Sequence, residues 1–89
     1  MDVREAVVLA KKYVSEVFAD EPISDLGLEE VEFDDSSQTW LVTIGFWRQW
    51  QNPSGLVNTI IPRKRDYKVV RISDTDQKMI SVKNRESAV

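Results

Sequence analysis

The stretch "TWLVTIGFW", residues 39–47, alternates with the period of two that is typical of a β-strand. Apolar side chains fall on both of its faces, so we predict that it forms the central strand of the fold. One face carries Trp40, Val42, Ile44 and Phe46, and the other carries Leu41, Thr43, Gly45 and Trp47.

A helix is predicted near residues 2–19. Apolar residues recur there at spacings of three and four, which places them on one stripe of an α-helix. Asp2 is suited to cap the helix, and Pro22 marks its exit because the residue before a proline avoids helical dihedral angles. The stripe consists of Val3, Ala6, Val7, Ala10, Tyr13, Val14, Val17 and Phe18.

Three further strands are predicted, at residues 28–34, 67–72 and 79–83. The short links between them suit antiparallel neighbours, and the helix has to cover the apolar face of the sheet. We therefore predict an α+β fold: one N-terminal helix packed on a four-stranded antiparallel meander sheet with a long central hairpin. The predicted sheet side of the core is Val31, Phe33, Trp40, Val42, Ile44, Phe46, Val70, Ile72, Ile80 and Val82.

Length and composition predict a single domain over residues 1–84 and a frayed tail over 85–89. The 89 residues include no cysteine, which excludes disulfides and thiolate metal sites. The first residues include acids where a signal peptide carries positive charge, and no apolar run approaches the length of a membrane span. We therefore expect a cytoplasmic protein that has no contact with a membrane.

Charge is distributed unevenly along the chain. Residues 1–35 contain eleven acids and three bases, a net charge of −8, whereas residues 36–89 contain four acids and nine bases, a net charge of +5. Such asymmetry steers a charged partner or favours head-to-tail self-association. The alternative, that the two halves neutralise each other across the fold, stays open.

The sheet face opposite the helix is predicted to combine acids on the first strand, bases on the far side and apolar residues between them. An apolar patch of this kind usually marks contact with a partner or with a second copy. The alternative is that sheet twist and residues 48–66 shield it. The predicted members are Leu41, Trp47, Tyr67, Val69 and Met79, together with Arg71 and Lys83.

The central hairpin is predicted to extend beyond the helix as an arm. An 18-residue helix is about 27 Å long, whereas a strand over residues 39–51 spans about 43 Å. With its tip at "NPSG", residues 52–55, the hairpin needs one extra residue near Pro62 to keep the core side chains on one face. If residues 48–66 instead form an irregular loop, the arm does not exist. The predicted partner-binding residues are Trp47, Arg48, Trp50, Leu56, Ile60, Arg63, Lys64, Arg65 and Tyr67.

Aromatic and basic residues of this kind favour a non-catalytic module that binds another protein or a second copy of itself. Catalysis is disfavoured because the chain has no histidine, no cysteine, no glycine-rich phosphate loop and no serine elbow. We expect no catalytic residue, no metal and no cofactor. The alternative is an accessory subunit that binds a polyanion or a small ligand through the arm, although a pI near 4.9 disfavours nucleic acid.

The N-terminal helix and the ending "YKVVRISDTDQKMISVK", residues 67–83, resemble PepSY-like domains and the cystatin-like arrangement of a helix wrapped by an antiparallel sheet. In the final hairpin, Asp76 and Gln77 stand where PepSY-like domains have Thr-Gly. The resemblance implies a small binding or inhibitory module without catalytic residues, and it assigns no site residue.

Overall fold

One helix and four antiparallel strands form the fold of residues 1–48 and 65–85, which are the residues that the computed structural model describes. The helix packs on one face of the sheet, and the strands follow one another across it in chain order, which confirms the predicted α+β arrangement. The elements are α1 (Val3–Val17), β1 (Ile23–Asp34), β2 (Thr39–Arg48), β3 (Arg65–Ser73) and β4 (Lys78–Asn84).

A capping box starts α1 at the predicted position. The Glu5 backbone N–H donates to Asp2 Oδ1 over 2.9 Å, and the Asp2 N–H donates to Glu5 Oε1 over 3.1 Å. These two bonds satisfy donors that the first turn of a helix leaves without partners. The helix therefore begins at a position set by its own sequence.

The core lies between α1 and one face of the sheet. Small residues on the helix, Ala6 and Ala10, let its backbone approach the strands closely. Val3 and Val17 were predicted to be in the core, but they are 46% and 52% exposed. They are the first and last residues of α1, so they lie at the margin of the contact. The fully buried residues are Ala6, Ala10, Val14, Val42, Ile44, Phe46, Val70 and Ile72.

A register shift in the β3–β4 ladder corrects two predictions. Arg71 pairs with Ser81 and Ile72 pairs with Met79, so Ile80 is an extra residue in β4. Beyond such a bulge the alternation of side chains reverses. Met79, predicted on the open side of the sheet, packs against the core, while Ile80, predicted in the core, is 56% exposed.

The edge strand β1 begins five residues earlier than predicted and is irregular. Its pairing with β2 shifts register between Ser24 and Gly27 and again between Leu28 and Glu30. Phe33, predicted in the core, is 37% exposed and instead packs against Trp40, with ring centroids 4.8 Å apart and ring planes tilted by 52°. An edge strand has a neighbour on only one side, so its side chains are less completely covered.

The β2–β3 ladder runs without a register shift, but its register differs from the predicted one. A tip at residues 52–55 with one extra residue near Pro62 would place Trp40 opposite Lys68, whereas Trp40 lies opposite Ile72. The predicted register is therefore wrong by four residues. Because four is an even number, the same side chains still face the core. Residues 49–64, on which the predicted arm depends, lie outside the described residues.

Truncation of the neighbouring residues Met79 and Ile80 to alanine tests the bulge in β4. Met79→Ala removes a side chain that packs on the core, so we expect the free energy of unfolding to fall by about 2 kcal/mol. Ile80→Ala removes an exposed side chain and should change it by less than about 0.5 kcal/mol. Urea unfolding of both variants measures the two values. The reverse order would show that the uninterrupted alternation is right and that β4 has no bulge.

Candidate interaction surface

The sheet face opposite α1, called the open face below, is covered by no helix or strand among residues 1–48 and 65–85. The alternation of side chains along β2 determines which of its residues lie on this face, because Val42, Ile44 and Phe46 are buried on the helix side. The pairing of the strands then assigns the remaining members. They include Glu30, Glu32, Asp34, Thr39, Leu41, Thr43, Gly45, Trp47, Arg65, Tyr67, Val69, Arg71, Ser73, Lys78, Ser81 and Lys83.

Charge is sorted across the open face from one edge of the sheet to the other. The acids Glu30 and Glu32 are exposed on the edge strand β1, and the bases Arg71 and Lys83 lie on β3 and β4. Hydrogen bonds from the Ser36 and Ser37 side chains lower the pKa of Asp34, which ends β1. The β1 edge is therefore negative and the β4 edge positive at neutral pH.

The middle of the open face is only partly exposed to solvent. Thr43 is 5% exposed, and Leu41, Tyr67 and Val69 are half-buried. A strand face with this much apolar area and no covering element in the described residues is unusual for a solvated surface. The alternative of shielding by residues 48–66 concerns residues that lie mostly outside the described ranges.

Three rows of side chains cross the open face at right angles to the strands, and the one nearest the β1–β2 turn is Asp34, Thr39, Ser73 and Lys78. Each row begins with an acid on β1 and continues through an apolar or small side chain on β2. Strand pairing also defines the other two rows, which are called the first and the second row below. The first is Glu32, Leu41, Arg71 and Ser81, and the second is Glu30, Thr43, Val69 and Lys83.

The first row contains two buried polar atoms that lack hydrogen-bond partners in the described structure, Arg71 Nε and Ser81 Oγ. Arg71 and Ser81 face each other across the β3–β4 ladder. Buried polar atoms are almost always paired, since leaving one unpaired costs about 1 to 3 kcal/mol. Two such atoms lie at adjacent positions on one face, and each belongs to a side chain that is half-buried as a whole.

Arg65 is held by the protein itself. Its Nη2 donates to the carbonyl oxygens of Asp25 over 3.0 Å and Gly45 over 2.8 Å, and it lies 3.6 Å from Glu29 Oε2. Gly45 leaves room for this arrangement, because a Cβ there would lie 2.8 Å from the Glu29 carboxylate and 3.1 Å from Arg65 Nε. Arg65 thus ties β3 to the irregular part of β1.

Tyr67 lies on the open face and contacts Arg85. The Arg85 guanidinium carbon is 4.2 Å from the centre of the Tyr67 ring, and the Arg85 N–H donates to the Tyr67 carbonyl oxygen over 3.2 Å. These contacts extend the β3–β4 pairing by one residue beyond Asn84. The tail predicted to be frayed over residues 85–89 lies, apart from Arg85, outside the described residues. The position of Arg85 two residues after Lys83 was the available signal that it shares the open face.

Of the predicted partner-binding residues, the four that the structure describes lie on both sides of the sheet: Trp47, Arg65 and Tyr67 on the open face and Arg48 on the helix side. Trp47 lies on the open face, with the Arg65 guanidinium 5.6 Å from its ring. Arg48 lies on the helix side, with its guanidinium 5.0 Å from the Phe18 ring and its Nε 2.9 Å from Asp66 Oδ2. Successive residues of a strand point to opposite faces, which separates these two neighbours. The remaining predicted residues, Trp50, Leu56, Ile60, Arg63 and Lys64, lie outside the described residues.

Among residues 1–48 and 65–85, no three or more His, Cys, Asp and Glu side chains are grouped so that they can hold a metal ion. In that part of the chain, no helix has the length and apolar character needed to span a membrane. Comparisons with protein-family models, curated proteins and solved structures find no match to this chain. The resemblance to PepSY-like and cystatin-like domains stays a prediction from sequence.

The bonds of Arg65 predict a structural role for this residue. Arg65→Gln removes the guanidinium that bonds two carbonyl oxygens, and we expect the free energy of unfolding to fall by about 1.5 kcal/mol. Arg4→Gln is the matched control, because Arg4 is exposed on α1 and should change stability by less than about 0.5 kcal/mol. Urea unfolding compares the two. Equal losses would show that Arg65 contributes no more than an exposed arginine.

Proposed function

We propose that this chain is a non-catalytic interaction module that binds another protein through the open face of its sheet. The observation that carries this proposal is the sorting of charge on a sheet face that no described element covers. Half-buried apolar side chains occupy the middle of that face, and opposite charges border it. Protein interfaces have this anatomy, with an apolar centre inside a polar rim.

The charged borders support recognition of a partner in one orientation. Like charges brought together across an interface destabilise the wrong arrangement, while opposite charges speed association and fix its direction. Glu30 and Glu32 form no ion pair among the described residues, and neither does Lys83. Their charges are therefore available to a partner.

The alternative function, binding of a polyanion or a small ligand by a basic arm, has less support. It needs several arginines on one surface, yet Arg48 and Arg65 lie on opposite sides of the sheet. Both also lie within 4 Å of acidic groups of this chain, Asp66 and Glu29. The proposal therefore rests on the open face, which includes Trp47. It involves no catalytic residue and no cofactor, and it keeps the cytoplasmic location predicted from the sequence.

Photo-crosslinking in the cells that express this chain tests the proposal. A photoreactive benzoylphenylalanine is placed at Val69, in the middle of the open face. The matched control carries it at Val8, an apolar residue that is 66% exposed on α1 and therefore lies on the side of the sheet away from the open face. We expect a crosslinked product of higher mass from the Val69 variant only, whether the captured chain is another protein or a second copy.

Two results would contradict the proposal. One is equal crosslinking from Val69 and Val8, and the other is a crosslink from Val69 that stays within the same chain, which peptide mass spectrometry detects. The second result would show that the chain shields its own open face. A variant with the photoreactive group at the exposed Lys83 repeats the measurement if the Val69 variant does not fold.

A further inference from the structure

We propose that the partner on the open face is a second copy of this chain, related by a two-fold axis that runs parallel to the strands. In this dimer β1 of each copy lies over β4 of the other, and β2 lies over β3. The inference rests on the proposed function and names the partner, the orientation and the residues that meet.

The charge pattern selects this orientation over the other symmetric one. A face-to-face dimer has its two-fold axis in the plane between the sheets, either along the strands or across them. An axis across the strands stacks β1 on β1, which brings Glu30 and Glu32 against their own copies. An axis along the strands stacks the acidic β1 edge on the basic β4 edge twice. Only the second arrangement is attractive.

Rotation about this axis places each row of the open face over the same row of the other copy, with the order of the residues reversed. In the second row, Glu30 of one copy meets Lys83 of the other. Between them, at the centre of the row, Thr43 of each copy faces Val69 of the other. Each contact occurs twice because the interface is two-fold symmetric.

In the first row, the dimer brings the Glu32 carboxylate next to the side chains of Arg71 and Ser81, each of which has one unpaired donor among the described residues. Reversal places Glu32 of one copy over Ser81 of the other and beside Arg71 on the neighbouring strand. These are the residues whose Nε and Oγ atoms lack partners in the described structure. A carboxylate accepts two parallel bonds from an arginine, so the Glu32 side chain suits this position. The dimer thus accounts for both the sorted charges and the unpaired atoms.

The size of the face predicts a weak dimer. Four strands spaced about 4.8 Å apart and about seven residues long cover roughly 440 Å² per copy, or roughly 900 Å² for two. Stable interfaces usually bury about 1,200 Å² or more. We therefore expect association that depends on concentration and that weakens as salt screens the exposed charges.

Charge reversal tests the dimer and its orientation. The acid-edge variant carries Glu30→Lys and Glu32→Lys, and the base-edge variant carries Arg71→Glu and Lys83→Glu. Light scattering over a concentration series should show that the wild type dimerises and that each variant alone associates more than about tenfold more weakly, because like charges then meet. An equal mixture of the two variants should restore the dimer, since every edge contact again joins opposite charges.

A variant with all four reversals decides the orientation. If the axis runs along the strands, opposite charges meet again at both edges of this variant, and it dimerises like the wild type. If the axis runs across the strands, like charges meet in this variant just as they do in the wild type. The control for the acid-edge variant, Glu16→Lys with Asp20→Lys, makes the same change in net charge as that variant, but at exposed positions in and just after α1, and it should dimerise normally. Circular dichroism verifies that each variant folds. If a double variant does not fold, the single substitution Glu30→Lys replaces the acid-edge variant and Lys83→Glu replaces the base-edge variant.

The results separate this inference from the proposed function. A wild type that stays monomeric at every concentration, or a four-reversal variant that does not associate, overturns the two-fold dimer. If photo-crosslinking at Val69 then captures a different protein, the proposed function still holds and only the identity of the partner is wrong. If Val69 captures no other chain, both proposals fail.

Discussion

The contact between α1 and the sheet is the constraint on which the rest of the structure depends. Ala6, Ala10 and Val14 recur every four residues and are fully buried against the apolar face of β2 and β3. A single helix covers only one face of a sheet. The alternation of β2 that places Ile44 in the core therefore also places Thr43 and Gly45 on the far side, where the described residues supply no second layer.

The irregular features of the strands determine which side chains occupy that far side. The extra residue in β4 turns Met79 toward the core while leaving Ser81 and Lys83 on the open face. In β1, Asp25 has a positive φ of 56°, and its carbonyl oxygen accepts a hydrogen bond from Arg65. Bulges often redirect side chains in this way at the edges of sheets. The composition of the open face thus depends on local departures from the regular pattern.

Sequence patterns predicted the fold well because the strongest signals were periodic. The spacing of Ala6, Ala10 and Val14 defined the helix, and the alternation of Val42, Ile44 and Phe46 defined the central strand. Features that break the period were missed, among them the Ile80 bulge and the early start of β1. The candidate surface was anticipated in outline, since Arg71 and Lys83 were assigned to it, whereas the contacts of Arg65 depend on bulges that no alternation reveals.

Meander topology explains why a charge gradient along the chain becomes a gradient in space. Each strand pairs with the next in sequence, so the acidic first part of the chain supplies one edge and the basic last part supplies the other. Among the described residues, acids of the first part meet bases of the last part only at one end of the sheet, where Glu29 reaches Arg65 across β2 and Glu21 meets Arg48. Along the first and second rows, β1 and β4 are separated by two whole strands, or about 14 Å. That distance exceeds the Debye length of about 8 Å at physiological salt. Glu30 and Lys83 therefore cannot compensate each other within one chain, so their mutual attraction acts chiefly on whatever molecule comes to lie over the sheet.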